Sequence, residues 1–290
     1  MTRDLLHAKL RAFGIHFSIS LLIFFVLLYF ILFHWYPLPF FDTDGGWQGI
    51  RIIAGVDLTL GPVMTFIAFN PRKAPRLLKL DLGLIALAQI AALIWGISAV
   101  HGERPYLAIF SDGIFYPMTY YQVPQTGLSH KDINKLAPGP TPKKIYVEVP
   151  DKNTAAYISL LTRAVATQPI HFMGKRYRTL DKSKIKAISH YSINMKAYLK
   201  GEPAAWQKKY QRFIDAHPGK LKSILYFPLN ANYGKYIIAF DRKSLKFIAV
   251  LDIPPPTIEE VIWGKKEAKK RRLREAARLK AKQTLPSPGS

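Results

Sequence analysis

The sequence predicts a membrane protein: a three-helix N-terminal transmembrane bundle, followed by a C-terminal extracytoplasmic α+β domain with an antiparallel sheet and a basic C-terminal helix. Three observations predict this fold class. The first hundred residues hold three apolar segments of membrane-spanning length. They carry only 8 Lys and Arg against 5 Asp and Glu, whereas residues 101–263 carry 24 against 12. The later part alternates strand-like and helix-like patterns, which is typical of an aqueous domain.

Composition narrows the chemistry that the chain can perform. The chain has 290 residues, a formal net charge of +23 and no cysteine. The absence of cysteine excludes disulfides, thiolate nucleophiles and cysteine-ligated metals.

The first predicted span is 13–36, after a short N-terminus at 1–12. Its 24 residues contain no Asp, Glu, Lys or Arg. At 1.5 Å per residue they extend about 36 Å, more than the hydrocarbon core of about 30 Å. A cleaved signal peptide is disfavoured because the apolar run is too long and no small-x-small cleavage site follows it.

The second and third predicted spans are 47–69 and 80–100. The second contains Arg51 and Asp57, and Gly61-Pro62 is expected to kink or break it. The third has a single charge, Asp81, at its start, and Gln89 in its middle.

Basic residues in the short flanks predict the orientation. Three Lys and Arg precede the first span and four lie in the 70–79 loop, whereas the 37–46 loop has none. The positive-inside rule then places the N-terminus and the second loop in the cytoplasm. The three crossings then place the α+β domain at 101–256 outside the cytoplasm, which for a bacterial inner membrane is the periplasm.

Within that domain, period-2 patterns and turn signals predict a hairpin, a third strand and a later three-stranded meander. The predicted strands are 104–110, 114–123, 143–149, 221–229, 233–240 and 245–253; the predicted helices are 152–166 and 203–217. The first of these helices carries apolar residues on one side: Ala156, Leu160, Leu161, Ala164 and Val165. A basic helix at 257–282 and a disordered tail at 283–290 follow.

No short motif for catalysis or cofactor binding is present: there is no phosphate-binding loop, dinucleotide fingerprint, HExxH or GxSxG. The eight histidines have no helical metal-ligand spacing. The sequence therefore assigns no catalytic residue, cofactor or metal, and favours a non-enzymatic protein.

The polar residues inside the predicted spans are the most informative feature, because such residues are costly in lipid. Counted from the cytoplasmic ends, Asp57 lies about 18 Å deep and Gln89 about 13.5 Å deep, level enough to hydrogen-bond. Ser18 and Ser20 lie near that depth. Arg51 is about 240° around the helix from Asp57, so the two do not face each other.

Three interpretations of this polar group are open. The favoured one is a polar contact that packs the three helices together, followed by a contact for a partner's transmembrane helix and then by a role in proton transfer. A catalytic dyad of Asp57 with Asp81 is disfavoured, because their depths differ by about 15 Å and sharing a proton requires about 3 Å.

The basic helix also has several interpretations. A solvated tail is favoured, and contact with anionic lipid headgroups comes next. Nucleic acid is a weaker candidate, because a domain outside a bacterial inner membrane would meet DNA only during uptake. The candidate lipid-contact residues are Lys269, Lys270, Arg271, Arg272 and Arg274.

Five segments of the chain, taken in their order along the sequence, resemble the type IV pilin accessory proteins of the TfpX/TfpZ type. They are FGIHFSISLL, HWYPLPF, GGWQGIRIIAGVDLTLGPVMTFIAFNP, RLLKLDLGLIALAQIAALIWG and ERPYLAIFSDGIFYP, within residues 11–120. The resemblance implies an inner-membrane protein of a Gram-negative bacterium that assists pilus assembly and has the major type IV pilin as its partner. It implies no catalytic residues. Gly55, Gly61, Pro62 and Gly83 match family-typical positions, and we expect them to form a surface for the partner's helix, since small residues permit close approach.

The resemblance and the architecture predict a pilin-specific chaperone or assembly modulator in fimbrial biogenesis, which binds pilin through its bundle and its outer domain. One alternative is a membrane-anchored enzyme that modifies pilin or envelope glycans, and another is an anionic-lipid-binding scaffold. The enzyme would require convergent carboxylates in the outer domain. The candidates are Asp112, Asp132, Glu148, Asp151, Asp181, Asp215, Asp241 and Asp252.

Overall fold

The N-terminal part of the computed structural model, which describes residues 3–219, 221–257 and 260, contains three long apolar helices. Each is long and apolar enough to cross a membrane, which confirms the predicted class of membrane protein. Helix α1 (Arg3–Phe30) ends in a π-helical turn, Ile31–Trp35. The second span consists of α2 (Gly46–Ala54), a π-helical segment (Gly55–Leu60) and α3 (Gly61–Ala68). Helix α4 (Pro75–Gly102) is the third.

The second span is continuous where the sequence predicted a kink or a break. The π-helical segment Gly55–Leu60 ends two residues before Pro62. Proline has no N–H to donate, and a π turn widens the helix so that the surrounding backbone can continue past it. The predicted disruption therefore takes the form of a wider turn that contains Asp57.

The C-terminal domain is built on one seven-stranded sheet in the order β4-β3-β1-β2-β5-β6-β7. The strands are β1 (Pro105–Ser111), β2 (Ile114–Thr119), β3 (Lys143–Val147), β4 (Tyr177–Thr179), β5 (Ile224–Ala231), β6 (Gly234–Asp241) and β7 (Lys246–Leu251). The helices are α5 (His130–Leu136), α6 (Ala155–Ala166), α7 (Ile185–Ser189), α8 (Met195–Tyr198) and α9 (Ala204–Ala216). Short 3₁₀ turns cover Tyr120–Thr126, Ile170–Phe172, Gly174–Arg176, Lys182–Lys184 and Leu221–Ser223.

The sheet is mixed, which corrects the predicted antiparallel sheet while keeping the α+β class. The β1–β2, β3–β4, β5–β6 and β6–β7 pairs are antiparallel, but β1 pairs with β3 and β2 with β5 in parallel. Parallel neighbours need a crossover, and the segments with α5 and with α6 to α9 supply the two crossovers. Strand β2 is shorter than predicted because Thr119 and Gln122 form a capping box that starts the 3₁₀ turn.

Both faces of the sheet are covered by apolar side chains. One face has an aromatic cluster in which Phe110 meets Phe115 and Phe227 at centroid distances of 5.1 and 5.2 Å. The other face buries Ile109, Met118 and Ile145 beneath the turns around α5. Helices α8 and α9 cover the β5–β7 end with their own cluster.

The loop at 37–45 ties the bundle to the sheet. Phe40 has no exposed surface and lies in the aromatic cluster, 5.0 Å from the Phe247 ring. The backbone N–H of Tyr233 donates to the Thr43 carbonyl, and that of Asn232 donates to Asp44. This loop and the C-terminal domain therefore lie on the same side of the membrane.

The predicted basic helix at 257–282 and tail at 283–290 fall outside the described residues, apart from Thr257 and Glu260. The lipid-contact candidates Lys269, Lys270, Arg271, Arg272 and Arg274 lie in that part of the chain.

Candidate functional site in the transmembrane bundle

A polar cluster joins the three spans at the depth that the sequence indicated. Asp57 is 1% exposed, and its Oδ1 accepts a hydrogen bond of 2.8 Å from Gln89 Nε2. Gln89 Nε2 also donates to Ser20 Oγ at 3.2 Å, and the Ser20 hydroxyl lies 3.4 Å from Asp57 Oδ1. One residue from each span thus meets at a single point.

The cluster leaves two acceptors unpaired. Asp57 Oδ2 and Gln89 Oε1 are buried and have no hydrogen-bond partner in the described structure. A buried acceptor without a donor costs about 1–3 kcal/mol. The bundle alone therefore does not complete the hydrogen bonding of this cluster.

Local backbone features bring Gln89 to Asp57. Asp57 lies on the π-helical segment, whose wider turn places its carboxylate inside the bundle. Gly61 lies directly against the Gln89 amide, and a Cβ at this position would overlap that amide. Gly61 is thus needed for a contact within the chain.

A second group of polar contacts lies nearer the N-terminal end of α1. His16 Nδ1 and Thr65 Oγ1 are 2.6 Å apart, and Lys9 Nζ donates to the Ile67 carbonyl at 3.1 Å. These contacts fix α1 against α3.

Several residues predicted for the polar site lie elsewhere. Ser18 donates to the Gly14 carbonyl of its own helix and does not join the cluster. Arg51 is exposed and turned away from Asp57, as expected. Asp81 pairs with Lys73 at 2.6 Å at the start of α4, remote from Asp57 as expected.

The predicted glycine surface is not formed as one patch. Pro62 is buried, and Gly61 faces Gln89. Gly55 and Gly83 are exposed and have nothing within 4 Å of an added Cβ. These four residues therefore do not form one exposed patch in the bundle.

An apolar groove between the second span and α4 lies beside the polar cluster. Its volume is about 300 Å³. One wall consists of Leu60, Gly61 and Met64, the other of Leu84, Ala88 and Ala92, and Gln89 also lines it. Leu60, Met64 and Leu84 are exposed on the outside of the bundle, so the groove opens toward the lipid.

The joint between the bundle and the C-terminal domain contains a second cavity, of about 140 Å³. Tyr36, Asp44, Glu103 and Tyr233 contribute to its lining. Burial raises the pKa of the Asp44 carboxyl to about 6, although the Thr43 hydroxyl and the Asn232 N–H both donate to it. Asp44 is thus a buried acid that belongs to the link between the two parts of the chain.

Helix α6 presents an uncovered apolar face on the C-terminal domain. Leu160 is buried, but Ile158 is 64% and Val165 is 91% exposed. Of the five apolar residues that the sequence places on one side of this helix, Leu160 is buried and Ala164 half-buried, while Ala156, Leu161 and Val165 are exposed. The hydroxyl of Tyr157 donates to Asp112 at 2.5 Å, and Tyr157 is half-buried.

The carboxylates considered for catalysis have separate local roles. Asp112 pairs with Lys152, Glu148 with Arg178 and Asp252 with Lys209. Asp132 accepts from the backbone N–H of Ser129 in the capping box of α5, and Asp181 is the N-cap of the 3₁₀ turn that follows it. Asp151 and Asp241 accept turn N–H groups, and Asp215 accepts from Gln211. Each has its own partners.

Sequence reasoning missed the groove and the role of Phe40 at the joint. The groove depends on the rotation of two helices, which no periodic pattern specifies. A signal for the joint was present: the 37–45 loop is rich in aromatic and acidic residues between two apolar spans.

Known proteins similar to this chain are named for fimbrial assembly. The family model described as fimbrial assembly protein FimB matches residues 4–45. A fimbrial assembly protein of serogroups C1 and C2 from Dichelobacter nodosus is 36% identical over 108 residues, which is 37% of this chain and 81% of that protein. Fimbrial assembly proteins of serogroups E1 and I from the same organism are 35% and 36% identical over 108 residues, and in both the match spans only 41% of the relative.

No solved structure matches the chain. The match to most of the first relative agrees with the family resemblance that the N-terminal segments indicated. The chain belongs to the fimbrial assembly protein family.

Proposed function

We propose that this protein is an inner-membrane assembly factor for fimbriae, which binds the fimbrial subunit and holds it ready for incorporation. The subunit expected from the family resemblance is the major type IV pilin. The observation that carries the proposal is the lipid-facing groove beside Gln89 in a chain of this family.

A groove of this kind suits a membrane-embedded partner. Its walls carry no charged side chain, and Ala88 and Ala92 are one turn apart on α4. Small residues at this spacing let another helix approach closely, which is how transmembrane helices associate without a hydrophobic driving force.

The C-terminal domain supports contact with the part of the subunit outside the membrane. The face of α6 around Ile158 and Val165 is apolar and uncovered. The rest of the domain is strongly basic. We assign α6 to direct contact, and the positive charge to faster encounter with acidic partners.

The proposal includes an orientation. Arg3, Lys9 and Arg11 precede the first span, and Arg72, Lys73, Arg76 and Lys79 lie between the second and third. This distribution favours a cytoplasmic N-terminus and a periplasmic C-terminal domain. The groove and α6 would then meet the helix and the periplasmic part of one inserted subunit.

Purification of the full chain from its native membrane in mild detergent tests the proposal. We expect the fimbrial subunit to co-purify, and we expect a strain lacking the chain to make the subunit but display few fimbriae. Absence of the subunit from the purified protein, together with normal fimbriation in the deletion strain, would refute the proposal.

A further inference from the structure

We propose that the groove between α3 and α4 selects a subunit helix that carries a hydrogen-bond donor side chain level with Gln89. This inference rests on the proposed function and specifies the chemistry that the subunit must present. The donor would come from Ser, Thr, Asn or Gln in an otherwise apolar helix.

The groove lies near the middle of the membrane. Gln89 is the fifteenth of the 28 residues of α4, so about 20 Å of helix extends on either side of it. At this depth a protein occupant must be helical, because lipid cannot satisfy open backbone groups. The uncharged walls also exclude a charged segment.

The unpaired oxygen of Gln89 distinguishes a helix from a lipid chain. Gln89 Nε2 is already committed to Asp57 and Ser20, whereas Gln89 Oε1 has no partner. That oxygen is buried against Gly61, while Asp57 and Ser20 contact the amide nitrogen, and Gln89 also lines the groove. An acyl chain brings no donor, but a hydroxyl or amide on a docked helix can supply one after a small movement of the Gln89 amide. A hydrogen bond of this kind in a membrane corresponds to about a three- to tenfold gain in affinity.

The first test fills the groove. Ala88→Phe places a ring in it, and Leu87→Phe is the matched control, since Leu87 is 65% exposed and does not line the groove. We expect Ala88→Phe to lower the amount of co-purified subunit at least fivefold, and Leu87→Phe to leave it unchanged. Equal capture by the two variants would overturn the groove as the binding site.

The second test locates the donor. Each Ser, Thr, Asn and Gln in the apolar helix of the subunit is replaced by Ala, and capture by the unaltered full-length chain is measured. We expect one replacement to lower capture about three- to tenfold. The same replacement should have no further effect with Gln89→Leu. Gln89→Leu also removes the bond to Asp57 and so alters the bundle itself. The replacements in the subunit, measured against the unaltered chain, therefore decide the test.

The outcomes separate this inference from the proposed function. If the unaltered chain captures the subunit but no replacement in the subunit helix lowers capture, donor selection is wrong and the assembly role stands. If the unaltered chain captures no subunit, donor selection is wrong, and if the deletion strain is also normally fimbriated, the assembly role is wrong as well.

Discussion

Asp57 shows how one polar residue can organise a bundle in lipid. Its carboxylate meets Gln89 of the third span and Ser20 of the first. The depths of these residues along their spans can be estimated from residue counts and the helical rise alone. The sequence therefore indicates which residues lie at similar depth. The two unpaired oxygens were not predictable in this way, because they depend on side-chain rotation and on the π turn.

Replacing Asp57 should weaken the bundle measurably. Asp57→Ala removes the best hydrogen bond of Gln89, and we expect a loss of about 1 kcal/mol of stability. Thermal unfolding of the purified protein in detergent measures this. Asp81→Ala is the control, because the Lys73–Asp81 pair is partly solvated and such pairs contribute about 0–1 kcal/mol. A larger loss from Asp81→Ala than from Asp57→Ala would contradict the assignment.

The raised pKa of Asp44 predicts that the free energy of unfolding depends on pH. Burial raises its pKa to about 6 from an ordinary value of 3.8, so the folded state binds the proton more tightly than the unfolded state. This contribution to stability is fully present below about pH 4 and is lost as the pH rises through 6. Over that range the loss is on the order of 2–3 kcal/mol.

Unfolding measured between pH 4 and 7.5 checks this sign. Asp44→Asn should flatten the dependence and raise stability at pH 7.5. Asp42→Asn, which alters an exposed neighbour bonded to Trp47, should leave the dependence unchanged. An unaltered slope in Asp44→Asn would contradict the role of Asp44.

At the level of elements, the 37–45 loop connects the transmembrane bundle to the sheet of the C-terminal domain. Phe40→Ala should cost about 3–5 kcal/mol, because it empties a fully buried position in the aromatic cluster. Leu38→Ala is the matched control in the same loop, where the side chain is mostly exposed. Limited proteolysis and thermal unfolding should show a loosened C-terminal domain only in Phe40→Ala. Equal resistance in both variants would contradict the link.

The elements themselves differ in how well the sequence specifies them. The three spans and the β5–β7 meander follow from apolar length and period-2 alternation, which are local properties. Strand order does not, since the parallel β1–β3 and β2–β5 pairs depend on crossovers between distant segments. The buried side of α6 does not follow from its pattern either, since it depends on tertiary contacts such as the bond from Tyr157 to Asp112.

At the scale of the whole molecule, the orientation is open to direct test, because the chain has no cysteine. Lys235→Cys and Arg76→Cys place single thiols at exposed positions at opposite ends of the bundle. A thiol reagent that cannot cross the inner membrane is added to cells whose outer membrane has been permeabilised. It should label Lys235→Cys while the inner membrane is intact. It should label Arg76→Cys only after the inner membrane is broken. The reverse pattern would contradict the periplasmic placement of the C-terminal domain.

The central claim is that one chain holds both the helix and the outer part of a fimbrial subunit. Photoreactive residues in place of Leu84, in the groove, and of Val165, on α6, test it most directly. Our account predicts that mass spectrometry identifies the apolar helix of the subunit at Leu84 and its extramembrane part at Val165. Absence of the subunit from both sites, in a protein that still accumulates in the membrane, would contradict the claim.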